Sequence, residues 1–176
     1  MAKIFLEGEQ LSLTIKRLCY MLHEQHNDFS NSCFVALQRT GVPFSSRICT
    51  QLTQIIPNFQ PQLGQLDVTF YRDDFRRGKA LEASPTNMPF LIEGKKVILL
   101  DDVLYTGRTI RAALDALQHY GRPEKIELCV LIDRRFNRDL PISADYFGKI
   151  VDTLDESYVE VLWGDTPNDD KILLHQ

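Results

Sequence analysis

The chain has 176 residues, 44% of them hydrophobic, and a formal net charge of -4 at pH 7. This length permits one sizeable core and is short for two, so residues 1–176 are predicted to form a single domain. The small negative charge excludes a general attraction to nucleic acid or anionic membrane, so any site for a polyanion is local. The first residues lack the apolar run of a secretory signal and no stretch is long enough to span a bilayer, which predicts a cytoplasmic protein without membrane contact.

The four cysteines and four histidines show no spacing typical of a metal, nucleophilic or disulfide site. Each cysteine lies within or beside an apolar run and there is no Cys-x-x-Cys pair, which favours reduced thiols in the core. The histidines are expected at the surface, because none has a partner at metal-ligand spacing. These residues are Cys19, Cys33, Cys49, Cys129, His23, His26, His119 and His175.

Helices and apolar strands are predicted to alternate along the chain. Amphipathic spacing indicates helices, and short apolar or β-branched runs indicate strands. The predicted helices cover 10–26, 43–56 and 110–117, and the predicted strands cover 33–37, 66–71, 96–101 and 126–132. Residues 74–93 are polar and weakly periodic, which predicts a long loop between two of these strands.

This alternation predicts an α/β fold with a mostly parallel sheet flanked by helices on both faces. The alternating pattern at 158–163 predicts a short flanking β element in addition. In such sheets, ligands bind beyond the carboxyl ends of the strands. One candidate site is therefore formed by the polar loops that follow the predicted strands, at 38–41, 72–74, 101–109 and 133–138.

The segment 97-VILLDDVLYTGRT-109 is the most informative part of the sequence. Asp101 and Asp102 are adjacent carboxylates at the end of a buried strand, where charge is costly unless a partner compensates it. Sugar hydroxyls or Mg²⁺ would do so. Residues 106–109 add two hydroxyls, a glycine and the amides of a helix start, which is typical of a phosphate site. Together they predict a ribose 5-phosphate site; the alternative is a solvated acidic turn before an ordinary helix N-terminus.

This segment resembles the motif with which type I phosphoribosyltransferases bind 5-phosphoribosyl 1-diphosphate (PRPP). It resembles most the PyrR family of pyrimidine operon attenuators and uracil phosphoribosyltransferases, which share DDVLYTGRT almost letter for letter. The likeness runs from about residue 33 to 163 and includes 71-YRDD-74, 112-AALDAL-117, 121-GRP-123, 133-DRR-135, 140-LPI-142 and 145-DYFGK-149. It implies the type I phosphoribosyltransferase fold with a small flanking β hood. It also implies the reaction of uracil with PRPP to give UMP and diphosphate.

The resemblance assigns roles within the segment. Asp101 and Asp102 would hold the ribose hydroxyls, directly or through Mg²⁺, and favour an oxocarbenium-like transition state. The 5-phosphate would be bound by the five residues Tyr105, Thr106, Gly107, Arg108 and Thr109. In related purine enzymes, an acid at the position of Tyr105 serves the purine ring, so a tyrosine there fits a pyrimidine.

Three further segments are implied to contact the phosphates of PRPP. The family's diphosphate loop is usually Thr-Arg-Gly, whereas this chain has the inverted order Arg39-Thr40-Gly41. Arg72 and the acids at 73–74 would complete the diphosphate and magnesium end. Residues 75–90 match the family's mobile loop, and its basic side chains are Arg76, Arg77 and Lys79. The alternative for residues 39–41 is an ordinary strand-to-helix turn, for 72–74 a solvated strand end, and for 75–90 a charged surface loop.

The resemblance places the base near Arg134, Tyr158 and Val159, where related enzymes stack the base and bond it through backbone groups. The alternative for Tyr158 is ordinary packing in an alternating strand. Ser143 stands where relatives often carry a longer basic or polar side chain.

Two alternatives to a uracil enzyme stay open at this stage. One is an RNA-binding transcriptional regulator of the same family with weak transferase activity, which would bind pyr leader mRNA in response to UMP or PRPP. The other is a purine phosphoribosyltransferase, which Tyr105 disfavours. The family also implies a homo-oligomer, either a dimer or a dimer of dimers.

Overall fold

The computed structural model describes residues 2–73, 83–152 and 157–175. The strands are β1 (Ala2–Glu7), β2 (Ser32–Leu37), β3 (Leu63–Leu66), β4 (Lys96–Leu104), β5 (Lys125–Asp133), β6 (Tyr146–Ile150), β7 (Tyr158–Leu162) and β8 (Lys171–His175). The α-helices are α1 (Gly8–His26), α2 (Gly41–Ile55) and α3 (Arg108–Leu117), and short 3-10 turns cover Thr69–Tyr71, Gln118–Tyr120 and Pro167–Asp169. No helix in these ranges combines the length and the apolar character that crossing a membrane requires.

Five strands form a parallel sheet in the order β3-β2-β4-β5-β6. Successive side chains of a strand point to opposite faces, so β4 supplies two separate cores. Ile98 and Leu100 pack with α1 and α2 on one face, whereas Val97 and Leu99 pack with α3 on the other. The predicted α/β fold with helices on both faces is confirmed. The four cysteines are buried and unpaired, as expected.

A second, antiparallel sheet has the order β1-β8-β7. It contributes Leu6 and Ile172 to the core formed with α1 and α2. The predicted flanking β element is therefore confirmed at β7. The two terminal strands were not predicted. β1 pairs with β8 at the other end of the chain, from Ala2 opposite His175 to Glu7 opposite Lys171, and β8 also pairs with β7.

The prediction of a strand over 66–71 was wrong, because β3 spans Leu63–Leu66 and a 3-10 turn follows. Asp67 explains where the strand ends. Its carboxylate accepts a hydrogen bond from the Thr69 amide at 2.7 Å, and this local bond turns the backbone away from the ladder. β-branched and aromatic content could not reveal this competing local interaction.

The surface prediction was also wrong for His26, whose side chain is only 1% exposed. Nδ1 of His26 lies 2.8 Å from the Ser32 hydroxyl, and Nε2 lies 2.9 Å from a Glu127 carboxylate oxygen. The Tyr146 hydroxyl completes the group by donating to Glu127. These partners come from three other elements, β2, β5 and β6, so no local sequence pattern indicates them.

The contribution of this buried group to folding stability is expected to decrease as the pH falls from about 7 towards 5. Burial lowers the pKa of His26 below its ordinary value of 6.5. The pKa of Glu127 is also lowered: burial opposes the shift, but hydrogen bonding to Lys125 and the charge of His26 outweigh it. At these two groups the unfolded chain therefore binds more protons than the folded chain, and the stability that they contribute is lost below their unfolded pKa values. Urea unfolding at pH 5, 6 and 7 measures this slope.

The matched variants are His26→Gln, which removes the buried titrating ring, and His119→Gln, which alters an exposed one. As the pH falls from 7 to 5, stability should change less unfavourably in His26→Gln than in wild type, whereas His119→Gln should follow wild type. An unchanged pH dependence in His26→Gln would show that His26 does not contribute to it.

Candidate active site

The two carboxylates lie inside β4, three and two residues before it ends at Leu104. Asp101 is 5% exposed and Asp102 is 9% exposed. Asp101 accepts hydrogen bonds from the Thr40 hydroxyl at 3.1 Å and from the Asp102 amide at 3.0 Å. Asp102 accepts one from the Val103 amide at 2.8 Å. The strand-end position therefore buries both groups and gives them donors from the backbone and from one neighbouring loop.

Burial makes negative charge costly at this place. It raises the pKa of Asp101 to about 8, and the charge of Asp102 acts in the same direction. Burial also raises the pKa of Asp102 above its ordinary value. Hydroxyl donors or a cation would stabilise the ionised forms. The carboxylates thus have the environment expected of groups that bind a sugar diol or a metal ion.

Residues 105–109, here called the phosphate loop, connect β4 to α3. Gly107 has φ of +90°, a left-handed conformation that favours glycine. A side chain there would also approach Ile142 to 3.3 Å. In the described residues, the N-cap Gly107 makes no side-chain hydrogen bond to the start of α3, and the Arg108 amide donates to the Thr106 hydroxyl at a long 3.4 Å. Such a helix start is a common binding site for an anion.

The side chains of Arg39 and Thr40, predicted to bind diphosphate, contact two different neighbours. The Thr40 hydroxyl contacts Asp101, whereas Arg39 Nε donates to the Ser84 hydroxyl at 3.3 Å. Gly41 begins α2 directly against β4, where a β-carbon would lie 2.3 Å from the Leu100 carbonyl oxygen. Only glycine permits this close approach of helix to strand. The loop is therefore held beside the carboxylates.

Arg72 also reaches the phosphate loop, since it donates to the Thr109 hydroxyl at 3.2 Å. Asp73 forms an ion pair with Arg108, which also pairs with Asp139 at 2.8 Å. The remaining predicted residues of this end, Asp74, Arg76, Arg77 and Lys79, lie outside the described residues.

The predicted base residues fall into two groups. Arg134 is 3% exposed, its guanidinium lies 3.9 Å from the centre of the Tyr105 ring, and it donates to the Ser157 carbonyl at 2.7 Å. Tyr158 is 53% exposed and stacks on His175 at 4.1 Å. Val159 points to the opposite face of β7 and packs on the core. The structure thus joins Arg134 to the phosphate loop and leaves Tyr158 on the exposed face of the small sheet.

Sequence reasoning did not single out Arg138, which contacts the same loop. Its guanidinium donates to the carbonyls of Leu104 and Tyr105 and to the Asp133 carboxylate. The available signal was its place in a polar loop at a strand end, five residues after Asp133. Three arginines in that loop have similar sequence surroundings, so the pattern did not separate them.

Buried carboxylates at the end of a parallel strand, one loop away from a helix start, fit a phosphoribosyltransferase, and the family comparison assigns the chain to that class. A family model described as the phosphoribosyl transferase domain matches residues 1–162. The fold agrees with solved hypoxanthine phosphoribosyltransferases. That of Trypanosoma cruzi has a TM-score of 0.72 at 18% identity and covers 97% of this chain and 95% of its own. That of Staphylococcus aureus has a TM-score of 0.69 at 20% identity, with 89% and 80% covered.

Relatives with higher sequence identity identify the family within this class. A protein named Bifunctional protein PyrR from Caldicellulosiruptor bescii is 40% identical over 175 residues, covering 99% of this chain and 95% of its own. A protein of the same name from Roseiflexus is 45% identical over 152 residues, with 86% and 82% covered. The chain belongs to the PyrR family of phosphoribosyltransferases.

Proposed function

We propose that this chain transfers the ribosyl 5-phosphate of PRPP to N1 of uracil, producing UMP and diphosphate. One observation carries the proposal: two buried carboxylates at the end of β4 lie one loop away from the start of α3. This spacing suits a ligand that carries a diol and a phosphate on one sugar. The PyrR relatives support uracil as the acceptor.

The residues would act mainly by binding and orienting PRPP. Asp101 and Asp102 would accept hydrogen bonds from the ribose hydroxyls, and their charge would favour the positive charge that develops on the ribosyl ring. Amides and hydroxyls of residues 105–109 would bind the 5-phosphate. Arg72 and the Arg39-Thr40-Gly41 loop would bind the diphosphate that leaves.

The carboxylate pair also fits Mg²⁺, which proteins commonly hold through one or two carboxylates together with substrate oxygens. In the described ranges, no cluster of three or more metal-ligating side chains is found. Asp101 and Asp102 would therefore supply the protein ligands. When bound, the ion would offset the negative charge of the diphosphate.

Base recognition would depend on Arg134, Tyr158 and Val159. Arg134 is a buried cation stacked on an aromatic ring, and a guanidinium can donate to a carbonyl oxygen of a pyrimidine. Tyr105 lacks the carboxyl group that serves the purine ring in related purine enzymes. His175 covers one face of the Tyr158 ring, so a base would stack on the other face.

Arg134→Lys is expected to raise the KM for uracil about tenfold, because one charged hydrogen bond contributes about 1.5–3 kcal/mol and a lysine cannot reproduce the planar stack. The KM for PRPP should rise less than the KM for uracil, because the carboxylates are untouched and Arg134 meets the phosphate loop only through the ring of Tyr105 and not through its amides. Steady-state kinetics with each substrate varied in turn measures both values. Arg135→Lys is the matched control, because Arg135 is exposed and pairs with Asp152. Equal effects on the two KM values would contradict the assignment to the base.

Turnover of uracil and PRPP to UMP tests the main proposal, and no turnover at saturating PRPP would refute it. Competition of uracil against hypoxanthine and guanine tests the base, because all three would be offered to the same site. Preferred conversion of a purine would replace uracil as the acceptor.

A second function, RNA-dependent regulation of pyrimidine genes, is favoured by the word bifunctional in the names of the PyrR relatives. The proposed ligand is the pyr leader mRNA, bound more tightly with UMP. A gel shift with that leader at several salt concentrations, with and without UMP, tests it. We further propose a single cytoplasmic domain over residues 1–176 that assembles as a dimer or dimer of dimers.

A further inference from the structure

The side chain of Arg138 lies among five acceptors in the described residues and is 18% exposed. Its three nitrogens donate to acceptors at the ends of β4 and β5 and in the loops that follow these strands. These are the carbonyls of Leu104 at 3.2 Å, Arg134 at 3.1 Å and Ile142 at 2.9 Å, the carbonyl of Tyr105 and the carboxylate of Asp133. One guanidinium therefore joins the end of β4, the end of β5 and the segment 133–142.

The same segment also contacts Thr106, which follows Tyr105 in the phosphate loop. The amides of Asp139 and Leu140 donate to the Thr106 carbonyl at 3.0 and 3.3 Å. Ile142 lies close to Gly107, so close that a β-carbon on this glycine would be 3.3 Å away. Contacts from segment 133–142 thus cover the carbonyls of Tyr105 and Thr106 and the α-carbon of Gly107.

This arrangement orients the loop. A peptide group is planar, and its N–H points opposite to its C=O, so fixing the carbonyls on one side fixes the direction of the following amides. Amides that are already oriented bind an anion without the cost of ordering them at that moment. A guanidinium has five N–H donors in a rigid plane, whereas an ammonium has three on a flexible stem.

We propose that Arg138 is a positioning residue for the 5-phosphate subsite, which acts by holding the carbonyls of the phosphate loop and does not itself touch the ligand. This inference rests on the proposed function, because it takes the 5-phosphate as the ligand of residues 105–109. It predicts a selective effect. Ligands that carry a 5-phosphate depend on Arg138, and diphosphate, held at the separate Arg39-Thr40-Gly41 loop, does not.

The experiment measures the dissociation constants of ribose 5-phosphate and of inorganic diphosphate by calorimetry on the full chain. Arg138→Ala should weaken ribose 5-phosphate about tenfold or more, since misplacement by about 1 Å can cost up to about 100-fold in such sites. Binding of diphosphate should stay within about twofold. For ribose 5-phosphate, the dissociation constant of Arg138→Lys should lie between those of wild type and Arg138→Ala. Guanidinium ion at millimolar concentration should restore part of the affinity of Arg138→Ala for this ligand.

Arg135→Ala is the control, because Arg135 lies in the same segment and pairs with the exposed Asp152. It should leave both constants unchanged. Equal loss of both ligands in Arg138→Lys, or no loss in a folded Arg138→Ala, would overturn the inference. If Arg138→Ala does not fold, Arg138→Lys with the same two ligands decides the matter. Failure of the wild-type protein to bind ribose 5-phosphate would instead overturn the proposed function and the inference with it.

Discussion

Asp102→Asn is expected to reduce kcat/KM for PRPP by at least about 100-fold while the fold is retained. The amide keeps the shape of the carboxylate but removes the charge that would favour a positive ribosyl ring and bind Mg²⁺. Asp101→Asn should have an effect in the same range. Steady-state kinetics at varied PRPP, with circular dichroism to confirm folding, measures the change.

The same substitutions should increase stability in the absence of ligand and magnesium. The pKa of Asp101 is raised to about 8 by burial and by Asp102, so the folded chain binds more protons than the unfolded chain above the ordinary value of 3.8. Stability contributed by this group is therefore lost as the pH rises towards about 8. Asp101→Asn avoids this loss and should melt at a higher temperature than wild type at pH 8.

Asp115→Asn is the matched control for both measurements, because Asp115 is on α3 and pairs with Arg111 in a solvent-accessible i,i+4 contact. It should change neither turnover nor melting beyond small effects. Full activity of Asp102→Asn, with folding confirmed, would show that this strand end is not the PRPP site.

Gly41→Ala is expected to lower both stability and activity. The new β-carbon would lie 2.3 Å from the Leu100 carbonyl oxygen and 3.3 Å from the Asp101 α-carbon, so α2 or β4 has to shift. Such overpacking costs about 1–3 kcal/mol. Because the same shift separates Thr40 from Asp101, turnover should fall by about tenfold or more. Urea unfolding and steady-state kinetics measure the two effects.

Gly94→Ala is the control for Gly41→Ala, because it introduces backbone strain without steric crowding. Gly94 has φ of +66°, but no atom lies within 4 Å of the position of a new β-carbon. The variant should lose about 1–2 kcal/mol through its left-handed backbone and keep normal kinetics. If Gly41→Ala behaved in the same way, the contact between α2 and β4 would not position the diphosphate loop.

The sequence predicted the central part of the fold well because burial leaves a clear pattern there. β2 is buried at every residue and β4 at all but two, and their central parts, 33–37 and 97–100, read as continuous apolar runs. The failures occurred where a distant or local partner decides the conformation. Asp67 ended β3 through its own side chain, and His26 was buried by partners from three other elements.

The candidate site shows the same division. Asp101, Asp102 and residues 105–109 were predicted because adjacent carboxylates after an apolar strand and a glycine-containing helix start are local features. Arg138 was missed because its importance depends on which carbonyls surround it. Arg134 was predicted from the family resemblance, and its stack on Tyr105 became visible only in the structure.

The sequence by itself determined the class of fold, the strand that carries the carboxylates and the family, because periodicity and a contiguous motif are properties of neighbouring residues. Only the tertiary structure decided how the inverted Arg39-Thr40 pair is used: the threonine meets Asp101 and the arginine meets Ser84. It also decided that segment 133–142 supports the phosphate loop. These contacts join parts of the chain between about 30 and 60 residues apart, and their geometry follows from the order of strands in the sheet.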